Sequence, residues 1–179
     1  MDGLLALVRA IDRINGGVGR AVKWLVLFAT LISAGNAVMR YGFDLSSNAW
    51  LELQWYLFAA LFLLGAGYTL QHNGHVRIDV LYGRFSHRTR AWVDLVGGLL
   101  FLLPMAGLIG WLGWHAFLAS WQIGETSPDA GGLLRWPIKL VIPVGFGLLF
   151  LQGLAEILKR VAFLAGRLAL SEEKAEEVA

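Results

Sequence analysis

The stretch YLFAALFLLGAGYTL, residues 56–70, decides the fold class. It carries no charged residue and belongs to an apolar run over residues 50–70 in which Glu52 is the single charge. A helix that rises about 1.5 Å per residue needs about 20 residues to cross a hydrocarbon core of about 30 Å. The run therefore predicts a membrane-spanning helix.

Three more apolar runs, residues 24–39, 91–120 and 136–158, predict three further transmembrane helices. The third run exceeds the required length and contains Pro104, so we expect a tilted or kinked helix there. Hydrophobic residues other than glycine make up 57% of the 179 residues, whereas soluble domains reach about 45–50% with glycine included. We predict an all-α integral membrane protein, with residues 1–179 forming a single four-helix membrane domain.

The first span is expected to remain in the mature protein. It begins after more than twenty residues, and no small-residue cleavage site follows directly behind it. Both features differ from those of a cleaved signal peptide.

Basic residues orient the predicted bundle. Twelve of the fifteen lie before the first run, between the second and third runs, or after the fourth, and the opposite side receives Arg40, Arg135 and Lys139. By the positive-inside rule, both termini and the central loop are cytoplasmic. Tryptophans prefer headgroup depth. We expect an outer belt of Trp50, Trp55, Trp114, Trp121 and Trp136, and an inner belt of Trp24 and Trp92.

Two shorter segments are predicted to lie along the inner membrane surface. In residues 1–22, Leu4, Leu5, Val8 and Ile11 share one helical face, while Arg9, Asp12 and Arg13 occupy the other. Residues 76–90 form a basic segment whose arginines face anionic headgroups. Residues 171–179 are a solvated acidic tail.

The segment YTLQHNGHVRIDVLYGRF, residues 68–85, raises the question of a metal site. His72, His75 and Asp79 are spaced by three and four residues, which places them on one helical face. Zinc is geometrically possible, but the chain has no cysteine and offers no clear fourth ligand. The favoured interpretation is a polar turn after the second span, in which His75 and Asp79 brace the chain.

Haem ligation is a second alternative for a helical membrane protein that contains histidines. Axial ligands must face each other at one depth. His115 lies near the outer end of the third span, whereas His72, His75 and His87 belong to the inner loop. The depths do not match, and we expect no cofactor.

Charge excludes further classes of function. The net charge of +2 indicates no nucleic-acid partner. Glu52, Asp94, Lys139 and Glu156 each lie within about two turns of a span end, so no charge sits at mid-bilayer depth. An ion pathway inside this chain alone is not expected.

The run LELQWYLFAALFLLGAGYTLQHNGHVRIDVLYGRFS, followed by DLVGGLLFLLP, resembles the small DctQ-type membrane subunit of tripartite ATP-independent periplasmic (TRAP) transporters. The amino-acid sequence of the second span is similar to that of the family branch labelled for mannitol or chloroaromatic compounds. The matching features are Arg40 after the first span, Glu52 at the start of the second, Leu64-Gly65-Ala66, His75-Val76-x-Ile78-Asp79-x-Leu81, and Pro137, Pro143 and Gly145 in the fourth.

The resemblance implies a transporter subunit of the bacterial inner membrane, not an enzyme. In this family a periplasmic binding protein delivers a small solute, often a carboxylate, to a large permease driven by an ion gradient. The small subunit is similar to a membrane scaffold for the large permease. The resemblance implies interface or structural roles for four residues, Arg40, Glu52, His75 and Asp79. We also expect the binding protein to dock on acidic residues of the predicted outer loops, namely Asp44, Glu125 and Asp129. The alternative is a haem-binding or structural anchor of a respiratory oxidoreductase.

Overall fold

The computed structural model describes residues 2–45, 47–75 and 82–167. Its helices are α1 (Asp2–Val22), α2 (Trp24–Phe43), α3 (Asn48–Gln71), α4 (His87–Gly97), α5 (Leu103–Ile123) and α6 (Trp136–Leu164). A π-helical turn, Gly98–Leu102, joins α4 to α5. The helices include four stretches long and apolar enough to cross a membrane, as the sequence predicts. Asp79 and the acidic tail at residues 171–179 lie outside the described residues.

The four spans form a single layer rather than a closed bundle. In order across the layer, α2 packs along α3, α3 along α6, and α6 along α5. Among the described residues, α2 and α5 each pack extensively along one other span, and none of the residues of α2 is buried. Lipid is as apolar as these side chains, so the layer can leave both faces uncovered by protein without exposing them to water.

Glycine permits the closest crossing inside the layer, between α3 and α6. A Cβ atom on Gly145 would lie 2.7 Å from the carbonyl oxygen of Leu63, which is too close for any side chain. On α5, an added Cβ would lie 3.5 Å from the ring of Phe150 at Gly107 and 3.6 Å from Cβ of Phe146 at Gly110, so these glycines pack against α6 at ordinary contact distance. Close backbone approach supplies the van der Waals contact that holds helices together in lipid.

The third span changes geometry directly before Pro104. The amide of Leu103 donates to the carbonyl of Gly98, five residues earlier, which defines a π-helical turn. Proline has no amide hydrogen and its ring crowds the carbonyl four residues earlier, so a wider turn at this point relieves the conflict. The sequence predicts a tilted or kinked helix around Pro104, and the structure has a π turn directly before this proline.

Helix α1 is amphipathic, and it packs against other helices of the chain. Val8 and Ile11 are buried and form a small core with Ala155 of α6. Contacts with both α3 and α6 hold α1 across these two helices. Part of the apolar face that the sequence assigns to the membrane surface is thus covered by protein.

Candidate functional site

The connection between α5 and α6, residues 124–135, folds onto the start of α3 around Glu52. The side chain of Glu52 is buried, with the residue 3% exposed. Its Oε1 accepts from the hydroxyl of Ser127 and lies 3.2 Å from Nη2 of Arg135, and its Oε2 accepts from the amide of Leu133 at 2.6 Å. Both carboxylate oxygens are therefore satisfied by groups of the connection.

Backbone hydrogen bonds give this connection the form of a short hairpin. The amide of Arg135 donates to the carbonyl of Glu125 at 2.8 Å, and the amide of Ser127 donates to the carbonyl of Leu133 at 2.9 Å. Gly132 is required beside the carboxylate, because a Cβ there would meet the Ser127 side chain at 2.4 Å and Oε1 of Glu52 at 2.9 Å.

Two side chains of α3 hold the hairpin by hydrogen bonds to its backbone carbonyls. The hydroxyl of Tyr56 donates to the carbonyl of Leu134 at 2.9 Å, and Nδ2 of Asn48 donates to the carbonyl of Ala130 at 3.0 Å. Asn48 begins α3, so its bond places the α2–α3 connection and residues 124–135 at the same end of the layer. We call this end the hairpin end.

Aromatic rings surround the hairpin end. The guanidinium of Arg135 lies 5.0 Å from the ring centre of Trp55, and the rings of Trp121 and Trp136 meet edge to face at 4.4 Å. Trp55, Trp121 and Trp136 all belong to the belt predicted for the outer boundary. Tryptophan rings beside a guanidinium are typical of the depth where lipid meets water.

Glu125 is held by a salt bridge with Lys139 of α6. The ammonium of Lys139 holds the pKa of Glu125 below its ordinary value. The ion pair therefore favours the folded protein at neutral pH, and that contribution is lost as the pH falls through the lowered pKa. Of the three acidic residues predicted to dock a partner, Glu125 is thus already paired within the chain.

The other two predicted docking residues are exposed. Asp44 follows α2 in a left-handed conformation, with φ of 54°. Asp129 lies at the tip of the hairpin, where its amide donates to Oγ of Ser127 at 3.2 Å. Arg40 is also exposed, in the last turn of α2. The structure thus gathers Glu52 and Glu125 around Arg135, whereas Asp44, Asp129 and Arg40 point to the surroundings.

A ring of four polar groups joins α1 to α6 at the opposite end, which we call the α1 end. Nζ of Lys159 lies 2.9 Å from Asp12 and 2.8 Å from Glu156. Nε2 of Gln152 donates to the same two carboxylates, at 2.8 and 3.1 Å. Each carboxylate therefore accepts from one charged and one neutral donor.

Asn15 extends this ring into the interior of the layer. Asn15 and Gln152 are both fully buried, and Nδ2 of Asn15 donates to Oε1 of Gln152 at 3.0 Å. Oδ1 of Asn15 has no hydrogen-bond donor and faces Gly67, where an added Cβ would lie 2.2 Å away. The contact fits a weak Cα–H···O interaction, which recurs where helices cross closely.

A second ion pair at the α1 end joins α4 to α6. Nε of Arg160 lies 3.1 Å from Oδ2 of Asp94, which also accepts from the hydroxyl of Tyr82 at 2.9 Å. Arg90 holds the same turn by donating to the carbonyls of Tyr82 and Gly83. The start of the third span is thus tied to the end of the fourth.

The histidines are engaged locally or exposed. Nδ1 of His72 donates to the carbonyl of Tyr68, and Nδ1 of His115 donates to the carbonyl of Trp111, both at 2.9 Å. His75 is exposed. No cluster of three or more His, Cys, Asp or Glu residues able to hold a metal occurs in the described part of the chain, which does not include Asp79.

Comparison with known proteins identifies the family. Residues 19–163 match the family described as tripartite ATP-independent periplasmic transporters, DctQ component. The chain belongs to this family. The matched segment runs from the last turn of α1 to the end of α6, so it includes the hairpin end and all four spans.

Two relatives carry the same name, C4-dicarboxylate TRAP transporter small permease protein DctQ. The protein from Pseudomonas aeruginosa is 35% identical over 138 residues, which cover 74% of this chain and 62% of the relative. The protein from Rhodobacter capsulatus is 36% identical over 107 residues, which cover 56% of this chain and 45% of the relative. The alignments thus span less than two thirds of either relative. No solved structure gives a significant match.

Several residues of this DctQ-family chain were not foreseen from the sequence. Arg135, Ser127 and Leu133 surround Glu52, although they lie far along the chain from it. One signal was available: Arg135 is one of few basic residues on the predicted outer side, and Glu52 is the only charge in the second span. Two isolated opposite charges near one membrane boundary favour a pair. The Asn15–Gln152 contact had no comparable signal.

Proposed function

We propose that the chain is the small permease subunit of a TRAP-type secondary transporter and acts as a membrane scaffold for the large permease. The observation that carries this proposal is the family match over residues 19–163. The layer of spans agrees with it, because a single layer leaves broad apolar faces on which a larger membrane protein can pack. Such a subunit catalyses no reaction itself, and the family favours transport over the haem-anchor alternative.

The proposed partners are the large permease and a periplasmic substrate-binding protein, in the bacterial inner membrane. C4-dicarboxylates are the proposed solutes, because both relatives carry that word in their names. The similarity of the second span to a branch labelled for mannitol or chloroaromatic compounds makes those solutes the comparison set in an uptake assay. Uptake is proposed to be driven by symport with a coupling ion.

The hairpin end is the proposed docking surface for the binding protein. Asp44 and Asp129 are exposed, and their carboxylates form no ion pair with a described residue. Glu125 contributes through the shape of the hairpin that its pair with Lys139 supports. Charges at the rim of an interface mainly tune the association rate. Arg40 is a proposed contact with the large permease, and His75 and Asp79 are proposed to brace the turn after α3.

Deletion of this chain tests the scaffold proposal. We expect deletion to abolish uptake of a radiolabelled C4-dicarboxylate by whole cells, while the affinity of the purified binding protein for that solute is unchanged. The tagged chain should copurify with a large hydrophobic permease. Undiminished uptake by the large permease alone would remove the scaffold role, and a haem absorption spectrum in purified material would support the anchor alternative.

A further inference from the structure

Helix α1 presents three different faces. Val8, Ile11 and Asn15 are buried against α3 and α6. Leu7 and Ile14, two turns apart, are both about half exposed, at 52% and 51%. A third face carries the exposed arginines Arg9, Arg13 and Arg20.

The three arginines form a row along the helix, which we call the arginine row. At 100° per residue, Arg9, Arg13 and Arg20 fall within about 40° of each other and span about 16 Å of helix. None of the three forms an ion pair with a described residue. Their charges are therefore available to an external anion.

The acidic residue within the row's span of α1 is already paired with α6. Asp12 is the only acidic residue between Gly3 and Val22. Its carboxylate is held by Lys159 at 2.9 Å and by Gln152 at 2.8 Å, on the side of α1 that faces α6. The α1–α6 contact thus pairs the Asp12 carboxylate on a different face of α1, and within residues 3–22 the face that carries the arginine row has no acidic residue.

We propose that the arginine row binds the headgroups of anionic phospholipids. Guanidinium groups match phosphate oxygens with paired hydrogen bonds, and they are suited to this role at the membrane surface. The strip of Leu7 and Ile14 lies about 130° around the helix from the row and needs an apolar medium. A helix lying in the interface gives its apolar strip to acyl chains and its charged row to headgroups. A membrane supplies both apolar acyl chains and anionic headgroups, whereas an acidic protein segment would supply only the anionic groups. The inference does not depend on the transport function.

Lipid selectivity of the purified full chain tests this proposal. The chain is mixed in mild detergent with phosphatidylglycerol or phosphatidylethanolamine, and bound lipids are counted by native mass spectrometry. We expect wild type to prefer phosphatidylglycerol, with the preference falling as salt rises. Since each arginine favours an anionic membrane surface by about fivefold, replacing all three with glutamine should lower the lipid ratio by at least about fivefold.

The controls separate the arginine row from general positive charge. Arg40→Gln, an exposed arginine on α2, should leave the lipid ratio unchanged, and a triple replacement by lysine should keep most of the preference. If the triple glutamine variant does not accumulate, the salt titration of wild type and the three single variants decide the matter. A wild type without preference for phosphatidylglycerol, or a triple glutamine variant that retains it, would overturn the proposal, as would an equal loss in Arg40→Gln.

Discussion

At the scale of single residues, Glu52 shows how one carboxylate can organise a whole connection. It accepts from a hydroxyl, an amide and a guanidinium, all of which belong to residues 127–135. A buried carboxylate is costly unless its lone pairs are satisfied, and the groups left behind by its removal are costly as well. The hairpin and Glu52 therefore stabilise each other.

We predict that Glu52→Ala will unfold the hairpin before it unfolds the spans. The amide of Leu133 and the guanidinium of Arg135 would lose their acceptor, so the melting temperature should fall by about 5 °C or more. Limited proteolysis at residues 124–135 should speed up while the spans stay protected. Glu125→Ala, which removes a more exposed partner of Lys139, is the matched control and should cost much less. Equal protease sensitivity in both variants would contradict this role for Glu52.

A second residue-scale prediction concerns the contact of Asn15 with Gly67. A methyl group at position 67 would lie 2.2 Å from Oδ1 of Asn15, so Gly67→Ala should push α1 from α3 at a cost of about 1–3 kcal/mol. Thermal denaturation in detergent measures the loss. Gly17→Ala is the control, because nothing lies within 4 Å of the added atom. In the Asn15→Ala background the clash is absent, so Gly67→Ala should cost less there than in wild type. An equal cost in the two backgrounds would show that Oδ1 of Asn15 is not the obstacle.

The sequence predicted some of these residues and could not predict their partners. Glu52 stands out because it is a lone charge in an apolar run. Its partners lie 75 to 83 residues along the chain, and no local pattern encodes such a distance. Asn15 is harder still, because a buried asparagine and an exposed one look identical in an amphipathic helix.

At the scale of helices, hydropathy predicted the spans well and their internal geometry less well. The predicted run 50–70 corresponds to α3 at Asn48–Gln71, and 136–158 to α6, which continues to Leu164. The six additional residues of α6 include Arg160, which pairs with Asp94. Pro104 indicated a break in the third span, but the position of the π turn depends on the carbonyls that precede the proline.

Packing between α3 and α6 yields the prediction at this scale. Gly145 and Gly147 lie two residues apart on α6, yet a Cβ on Gly145 meets the backbone of Leu63, and one on Gly147 meets nothing within 4 Å. Gly145→Ala should separate the two helices and destabilise the protein by at least about 1–3 kcal/mol, since a backbone carbonyl cannot rotate away as a side chain can. Gly147→Ala should be neutral or slightly stabilising in thermal denaturation. Similar melting temperatures for the two variants would contradict the close approach.

At the scale of the whole molecule, the order of helices across the layer could not be predicted from the sequence. Hydropathy reports that a segment enters lipid, but it does not report which segment lies beside it, because lipid and protein are equally apolar neighbours. The glycines of α6 indicate close crossings without naming the partner. The pairing of α3 with α6, rather than with α5, becomes visible through Leu63 and the Glu52–Arg135 pair.

The orientation of the layer in the membrane is the last prediction. Asn48 and the hairpin share one end, and α1 is tied to α6 at the other, so the two ends can be probed separately. The chain has no native cysteine, so single cysteines at Asp129 and Arg88 can be labelled without background. Because basic residues concentrate at the α1 end, we expect by the positive-inside rule that this end faces the cytoplasm.

An impermeant thiol reagent should therefore label Asp129→Cys in intact spheroplasts, and label Arg88→Cys only after the membrane is permeabilised. Both residues are exposed, so a difference in labelling reports the side of the membrane and not burial within the protein. A denatured sample of each variant controls for expression. Labelling of Arg88→Cys in intact spheroplasts would reverse the orientation, and with it the proposal that the hairpin end faces a periplasmic binding protein.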